Sequence, residues 1–514
     1  MERYFLGIDI GTFESRGILI DESFRVAADA SVPHGMDNPQ PGWFEQDAEA
    51  VWWGDLCKLC RTLIKQSGIR PEQIACVGTS ALGTDCLPVD EQGRPLRPAI
   101  LYGIDARASE EAAWLTEHYG QARVQELFGH PICSGDTATK ILWLRRHEPE
   151  IYAKTAYFLT GSSFLTARLT GKYVIDQFLA KGSFRPLYQA DGSVNEAECG
   201  LYCRPDQIAA CAWSTDIVGT VTPEAAAQTG LAAGTPVITG TGDSTAEAIS
   251  VGLVEPGTAF FQYGSSMFYY YCTDYFVGSY VSPQGNGALK GGKAFTVPGT
   301  YCLGDGTNAA GTLTRWVRDL LYSKELDAEK QGGENAYAVM AREAAAVPPG
   351  SDGLIMLPYI YGERSPLQDA EATGMLFGLK GTHGRAQINR AALEAVGYST
   401  YQHLLLFEEL GVPPRRIITA GGGTKNAAWM QIICDMAGMP LTIPEPFQCS
   451  SYGDAMLAAL GIGALESFAA LCAALPQGRI LQPDRKNHEF YQEHYPIFRD
   501  LYLENRDRMH RMQK

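Results

Sequence analysis

Two distant segments of the chain share one layout, and this recurrence constrains the fold more than any other feature. Residues 4–10 form an apolar strand pattern, Gly11-Thr12 forms a turn, and further strand patterns follow over 16–21 and 24–31. Between residues 257 and 272 the chain again predicts a strand, a Gly264-Ser265-Ser266 turn and a second strand. The repetition predicts two lobes of similar structure.

The rest of the chain mixes helix and strand patterns. Hydrophobic periodicity predicts helices over 47–66, 107–128 and 139–148, an amphipathic helix over 385–410, and strands over 74–80, 237–239 and 416–419. After residue 423 the pattern predicts only helices. The sequence therefore predicts an α/β protein with an N-terminal lobe over 1–245 and a C-terminal lobe over 246–514.

Charge and hydropathy exclude two classes of partner. The formal net charge of −16 disfavours nucleic acid, whose phosphates are bound through clustered Lys and Arg. No apolar run reaches the roughly eighteen residues needed to span a bilayer. The chain opens directly into a strand pattern without a basic leader, so we expect a cytoplasmic protein. A homodimer is compatible with the sequence, which does not separate apolar surface from core.

The thirteen cysteines are scattered through apolar segments, which favours buried free thiols in a reducing compartment. Cys57 and Cys60 have the spacing of a metal or redox pair. They fall in a helical pattern, however, and no second pair with zinc spacing follows, so core packing is the better interpretation.

Two stretches place an aspartate where a buried strand meets a glycine turn. In Asp9-Ile10-Gly11-Thr12 the glycine lets backbone amides approach a phosphate, and the carboxylate is suited to Mg²⁺. In Gly240-Thr241-Gly242-Asp243 the acid stands where a helix begins. Taken alone, each has an ordinary interpretation, as a turn former or as an acid near a helix N-cap.

Two further glycine turns lie in the second half of the chain. Gly264-Ser265-Ser266 is either a phosphate clamp or an ordinary hairpin turn. Gly421-Gly422-Gly423-Thr424-Lys425-Asn426 is a strand-to-helix loop suited to a nucleotide. It lacks the spacing of a Walker A loop, and Gly240-x-Gly242 lacks the third glycine of a dinucleotide fingerprint. Together, the four stretches suit phosphoryl transfer, which depends on positioning and charge stabilisation.

At this point the sequence resembles the FGGY carbohydrate kinases over nearly its whole length. Two composite signatures carry the resemblance: Gly135-x-Thr137-x-x-Lys140-Ile141-x-Trp143-Leu144-x-Arg146-His147, and Gly374-x-Leu376-x-Gly378-Leu379 followed by Gln387-Ile388-x-x-Ala391-Ala392-Leu393-Glu394. The resemblance implies a two-lobed, actin-like (ribonuclease H-like) ATPase fold, with ATP and Mg²⁺ in an interlobe cleft and the sugar held mainly by the N-terminal lobe.

The resemblance also implies roles for individual residues. Asp243 corresponds to the general base that takes the proton of the attacking hydroxyl, and Asp9 and Asp243 to the acids near Mg²⁺. The remaining positions correspond to the nucleotide site: Gly11, Thr12 and Arg16 in the first phosphate loop, Gly264 and Ser265 in the second, Gly311 at a helix start near the phosphates, and Gly422 and Asn426 beside the adenosine.

The implied substrate is a small sugar, and D-xylulose, a ketopentose, is the first expectation. The segment from Arg97 to Arg107 looks most like xylulokinases. Where those enzymes usually carry Gln-Met-His-Gly, this chain has Leu82-Gly83-Thr84-Asp85, which leaves Thr84 at the sugar-contacting position. Asp105 keeps the position of a hydroxyl-binding acid, although a solvated loop acid is an alternative interpretation. Another ketose, a polyol or a sugar acid stays open.

Two other classes of protein compete with a sugar kinase. An actin-like sensor would bind nucleotide and sugar without turnover, and it would have no need of Asp243. A dehydrogenase would bind a dinucleotide at one of the glycine loops, and the incomplete fingerprint counts against it.

Overall fold

The computed structural model describes residues 2–445 and 448–513, which form two compact units. The first unit contains the chain up to Val254, together with Lys293–Tyr301 and residues 448–475. The second contains Glu255–Gly292 and residues 302–445 and 476–513. The chain therefore returns to the first unit after building most of the second. Among the helices of the described residues, none has the length and apolarity needed to cross a membrane.

The first unit is built around a mixed sheet. Its first two strands form the predicted antiparallel hairpin, and Tyr4–Ile10 also pairs in parallel with Ile74–Ala81, so that Asp9 stands beside Ser80. The strands follow one another across the sheet in the order Val26–Pro33, Glu14–Asp21, Tyr4–Ile10, Ile74–Ala81, Pro236–Ile238 and Ile217–Thr220.

The second unit repeats this arrangement. Thr258–Tyr263 and Met267–Thr273 form an antiparallel hairpin, and Thr258–Tyr263 pairs in parallel with Arg416–Ala420. The order across the sheet is Tyr301–Gly306, Met267–Thr273, Thr258–Tyr263, Arg416–Ala420, Leu441–Ile443 and Arg479–Leu481. The predicted recurrence of strand, glycine turn and strand is therefore the start of two sheets that share the order of their first four strands. The outermost strand differs, because Ile217–Thr220 precedes its neighbour in the chain whereas Arg479–Leu481 follows its neighbour.

Helices cover these sheets within each unit. In the first unit the helices are Gly54–Ser67, Ser109–Leu127, Thr137–His147, Pro149–Lys154, Gly161–Thr170, Gln177–Gly182, Glu196–Tyr202, Pro223–Thr229, Asp243–Ser250, Ser450–Gly461 and Phe468–Ala474. In the second they are Gly311–Leu321, Ser323–Lys330, Ala336–Ala345, Arg385–Glu409, Ala427–Ala437 and Arg485–Met512.

The predicted helix over 47–66 shows how local sequence sets an element. Asp47 caps its start by accepting the backbone N–H groups of Glu49 and Ala50, and Gly68 ends it in the left-handed conformation. A π-helical turn, Ala48–Trp53, precedes the α-helix Gly54–Ser67. Cys57 and Cys60 are buried on its inner face, so the packing interpretation is confirmed, and all thirteen cysteines are free thiols.

Two expectations about the second half are wrong. The helix Arg385–Glu409 is not amphipathic, because it is buried on nearly every side between Asn389 and Phe407. Its polar side chains are paired in the core: Arg390 with Glu394, Thr400 with Tyr263, and His403 with Ser365. Such internally paired residues give the same sequence pattern as a solvated face.

The expectation of helices alone after residue 423 is also wrong. Leu441–Ile443 and Arg479–Leu481 extend the sheet at one side. Each strand has three residues, which is too short for a period-two pattern to stand out.

The helix Ser450–Gly461 lies very close to the sheet of the first unit. A methyl group on Gly7 would overlap the carbonyl oxygen of Ser451, and one on Gly78 would overlap that of Asp454. On the other side of the helix, a methyl group on Gly453 would overlap the carbonyl oxygen of Ala246. Glycine at these three positions lets backbone pack directly against backbone.

We expect Gly7→Ala to lower the free energy of unfolding by about 1–3 kcal/mol, because the added methyl group forces this helix away from the strand. Gly200→Ala is the control, since that position has open space in the helix Glu196–Tyr202 and alanine favours helix. Urea unfolding of both variants measures the difference. Equal stability of the two variants would contradict the close-packing argument.

Candidate active site

Asp9 lies near the end of the strand Tyr4–Ile10, and its carboxylate is held by the neighbouring strand. The Ser80 hydroxyl donates to Asp9 Oδ1 at 2.8 Å. Burial and the negative charge of Asp243 raise the pKa of Asp9 above its usual range, while Ser80 and Arg16 act in the opposite direction. Asp9 is therefore a carboxylate that would be stabilised by a nearby cation.

The predicted loop after Asp9 is a tight turn. The Gly11 N–H donates to the Glu14 carbonyl at 3.1 Å, and Thr12 Oγ1 lies 3.2 Å from the Tyr102 hydroxyl. Arg16 follows on the next strand, with its side chain about one-third exposed and 3.6 Å from Asp29. The loop is thus preformed, and Arg16 makes a long surface ion pair with Asp29.

Asp243 begins the helix Asp243–Ser250 and is part-buried. Its Oδ1 accepts the backbone N–H of Ser244 at 2.6 Å. Burial raises the pKa of Asp243 to about 6, and the Ser244 hydrogen bond limits the rise. Because the charge of Asp243 in turn raises the pKa of Asp9, the two carboxylates occupy one electrostatic environment.

The donor set fits a magnesium ion bound in part by a substrate. Within the described part of the chain, no group of three or more His, Cys, Asp or Glu side chains is arranged to hold a metal. Mg²⁺ commonly takes only one or two carboxylates and completes its shell with water and substrate phosphates. Asp9 and Asp243 supply two such carboxylates.

Asp454 belongs to this cluster, and the sequence analysis missed it. Its Oδ2 lies 2.6 Å from the same Ser80 hydroxyl that contacts Asp9, and its side chain is fully buried. The helix Ser450–Gly461 brings it from a part of the chain more than 370 residues after Ser80. The available signal was a lone acid inside an otherwise uncharged helix.

Near Asp243, the first unit buries an aspartate and a lysine. Asp85 is fully buried, and among the described residues none donates a hydrogen bond of normal geometry to either of its carboxylate oxygens. Lys140, also fully buried, donates to the carbonyls of Thr84 at 2.6 Å and Gly135 at 3.0 Å. Burial raises the pKa of Asp85 well above its usual range, and Lys140 opposes that rise. Thr84 is partly exposed, and its backbone is fixed by this lysine.

Asp105 is buried rather than solvated, so the alternative of a solvated loop acid is wrong. Arg107 donates to both of its carboxylate oxygens, at 2.8 Å from Nη2 to Oδ2, and the Phe44 N–H donates to Oδ2 at 2.7 Å. Arg107 also stacks over the Trp43 ring. Much of the hydrogen-bonding capacity of Asp105 is thus already used, and a sugar contact there stays a prediction.

The five nucleotide-site residues predicted for the second lobe line one cavity of about 500 Å³ in the second unit. These residues are Gly264, Ser265, Gly311, Gly422 and Asn426. The hairpin loop caps the helix Gly311–Leu321, since the Gly311 N–H donates to the Gly264 carbonyl at 3.0 Å. Asn426 caps the helix Ala427–Ala437 by accepting the Trp429 N–H.

The cavity has a polar rim and an apolar wall. Arg315 and Lys425 bring positive charge, and Tyr337, Met340 and Trp429 bring apolar surface. This composition suits a ligand with an aromatic portion and an anionic portion.

Known proteins with similar sequences fit this arrangement. Residues 4–250 match the N-terminal domain of the FGGY family of carbohydrate kinases, and residues 276–462 match its C-terminal domain. The chain therefore belongs to the FGGY family and is a carbohydrate kinase, and the dehydrogenase alternative is wrong. Membership also supports ATP as the phosphoryl donor.

Individual relatives are named as kinases of different sugars. The chain is 29% identical to a xylulose kinase of Escherichia coli K12, covering 97% of this chain and 98% of the relative. It is 28% identical to a gluconokinase of Bacillus subtilis, covering 98% and 96%.

Solved structures confirm the predicted fold. The xylulose kinase of Rhodospirillum rubrum superposes with a TM-score of 0.88 at 28% identity, covering 99% of this chain and all of that one. A glycerol kinase of Plasmodium falciparum, solved with ADP, has a TM-score of 0.83 at 20% identity, which supports the fold alone.

Proposed function

We propose that this protein transfers the γ-phosphoryl group of ATP to a hydroxyl of a neutral small sugar, with a ketopentose such as D-xylulose as the first substrate. The observation that carries the proposal is the placement of Asp243, a part-buried carboxylate at the start of a helix. Its charge raises the pKa of Asp9, the acid at the predicted first phosphate loop. The contacts of the residues around Asp243 support the roles proposed for them.

Asp243 acts as the general base. The acceptor hydroxyl becomes acidic as its oxygen bonds to phosphorus, and a carboxylate then takes the proton, which contributes about 10²- to 10⁴-fold to the rate. One Asp243 oxygen is held by the Ser244 N–H, which fixes the orientation of the carboxylate. Burial makes this carboxylate more basic than a solvated one.

Asp9 and Asp243 would hold Mg²⁺, together with the phosphates of the nucleotide. The ion supplies positive charge that offsets the negative charge on the transferring group. Gly11 and Thr12 line the turn after Asp9, and Arg16 brings a guanidinium whose charge lowers the pKa of Asp9. These residues position the phosphate end of ATP.

The nucleotide itself occupies the cavity of the second unit. Gly264, Ser265 and Gly311 lie where the phosphates enter, and Gly422 and Asn426 lie beside the adenosine. Trp429 and Tyr337 offer apolar surface for the base. We accordingly assign sugar binding to the lobe 1–245 and nucleotide binding to the lobe 246–514.

The charges of the first unit favour a neutral sugar over a sugar acid. The negative charge of Asp243 raises the pKa values of both Asp9 and Asp85. A sugar acid would bring a further carboxylate into this field. Lys140, whose charge opposes the rise in the pKa of Asp85, already donates to two backbone carbonyls. The near-equal sequence identities do not distinguish xylulose from gluconate as the substrate, whereas these charges favour xylulose.

Thr84 and Asp105 are the proposed sugar-contacting side chains beside the base. Thr84 offers one hydroxyl where xylulokinases usually place an imidazole. Polar contacts of this kind discriminate strongly between sugars, because an unmatched buried polar group is costly. A substrate other than D-xylulose would therefore be explained first by Thr84 and its neighbours.

A panel assay of ADP release tests the substrate. ATP and Mg²⁺ are supplied with ketopentoses, other ketoses, aldoses, polyols and sugar acids, and ADP is quantified directly. We expect turnover of D-xylulose and little turnover of gluconate. Turnover of gluconate alone would contradict the charge argument. Turnover of a different neutral sugar would identify that sugar, and not D-xylulose, as the substrate. ADP binding with no turnover across the panel would favour the sensor alternative.

The pH dependence of kcat/KM tests the base. Only ionised Asp243 accepts a proton, and its pKa is raised to about 6, so activity is present above that pH and is lost as the pH falls through it. We expect kcat/KM to fall about tenfold per pH unit on the acid side. A flat profile through this range would contradict the assignment of the base.

A further inference from the structure

The Ser80 hydroxyl lies between two carboxyl groups. Its Oγ is 2.8 Å from Asp9 Oδ1 and 2.6 Å from Asp454 Oδ2. Both distances are those of strong hydrogen bonds between oxygen atoms. The three side chains thus form a continuous series of hydrogen bonds that links the helix Ser450–Gly461, the strand Ile74–Ala81 and the strand that carries Asp9.

The number of available hydrogen atoms limits how these three side chains can be protonated. A serine hydroxyl has one hydrogen, so it donates to one of the two carboxyl groups and can only accept from the other. An ionised carboxylate has no hydrogen to donate. If both acids were ionised, one of the short contacts would therefore bring two lone pairs together. One of the two carboxyl groups must carry a proton.

The surroundings place that proton on Asp454. Its side chain is fully buried, and its Oδ1 has no hydrogen-bond partner among the described residues. Burial and the negative charge of Asp9 raise its pKa well above the usual range. Asp9, in contrast, is partly exposed and feels the positive charge of Arg16.

The backbone holds Asp454 firmly in place. The Asp454 carbonyl oxygen meets Gly78 on the strand that carries Ser80, at a spacing that leaves no room for a side chain. Gly7, two residues before Asp9, faces Ser451 in the same way. These two close backbone contacts therefore restrict movement of Asp454 relative to Ser80.

We propose that Asp454 is a positioning residue that acts on Asp9 through Ser80. The neutral acid donates to the serine, and the serine donates to Asp9 Oδ1. That oxygen is then fixed, and the Asp9 carboxylate is presented to its cation in one orientation. The inference deepens the proposed function, since it rests on the role given there to Asp9.

Four variants and the wild-type chain test this role through Mn²⁺ binding in the presence of ADP, measured by electron paramagnetic resonance without sugar. Asp454→Ala and Ser80→Ala break the chain of hydrogen bonds. We expect each to weaken Mn²⁺ binding by about 10- to 100-fold, as for other residues that orient metal ligands. Asp454→Asn keeps a donor toward Ser80 and should bind Mn²⁺ close to the wild-type level.

Asp55→Ala is the matched control. It removes a similar contact in the same unit, the 2.9 Å hydrogen bond from the buried Ser15 hydroxyl to Asp55, in which Asp9 takes no part. This variant should lose stability and keep Mn²⁺ binding. A general loss of packing would instead weaken Mn²⁺ binding in Asp454→Ala and Asp55→Ala alike, and thermal unfolding of each variant identifies any that fail to fold.

A second readout detects the proton directly. At neutral pH, the infrared difference spectrum between the wild type and Asp454→Asn should contain the carbonyl stretch of one protonated carboxylic acid, present only in the wild type. Where a sugar is turned over, Asp454→Ala should lower kcat and leave the KM for sugar unchanged.

The outcomes separate the two proposals. Wild-type Mn²⁺ binding by Asp454→Ala, equal weakening in Asp454→Ala and Asp454→Asn, or no Mn²⁺ binding by the wild type would each overturn the positioning role. Should the variants follow the expected pattern while no sugar is phosphorylated, the positioning role stands and the proposed sugar kinase reaction fails.

Discussion

Electrostatic repulsion between buried acids is the constraint on which the first unit depends. Asp9, Asp243 and Asp454 come from three separated parts of the chain; the charge of Asp243 raises the pKa of Asp9, and the charges of Asp9 and Asp243 both raise the pKa of Asp454. Such a cluster is costly unless protons or a cation neutralise part of its charge. The proton proposed for Asp454 would neutralise part of this charge, and a nucleotide-bound metal would neutralise much of the remainder.

The fold makes this cluster possible by bringing backbones unusually close. Parallel pairing of the first strand with Ile74–Ala81 puts Asp9 beside Ser80, and glycines at the helix–strand contacts let Ser450–Gly461 approach. The second unit shares the order of the first four strands and uses the equivalent hairpin turn differently. There the turn caps a helix and lines a cavity, and no acid corresponding to Asp9 stands at the end of the first strand.

The sequence predicts those parts of the site that lie on local motifs. Glycine turns after buried strands mark Asp9, Gly264 and Gly422, and family resemblance adds Asp243 and Gly311. Asp454 escapes because its role arises only when a helix late in the chain packs on the first strands. The helix Arg385–Glu409 misleads for a related reason, since polar residues such as His403 are paired inside the core and resemble a solvated face. Long-range pairing carries no local signal, so it appears only with coordinates.

The central claim is that Asp243 is the base of a phosphoryl transfer whose nucleotide is held by other residues. The most direct measurement compares Asp243→Ala with the wild type in turnover of the best sugar and in ADP binding. The account predicts that kcat falls by at least about 100-fold while ADP affinity and folding are retained. Turnover near the wild-type rate would contradict it.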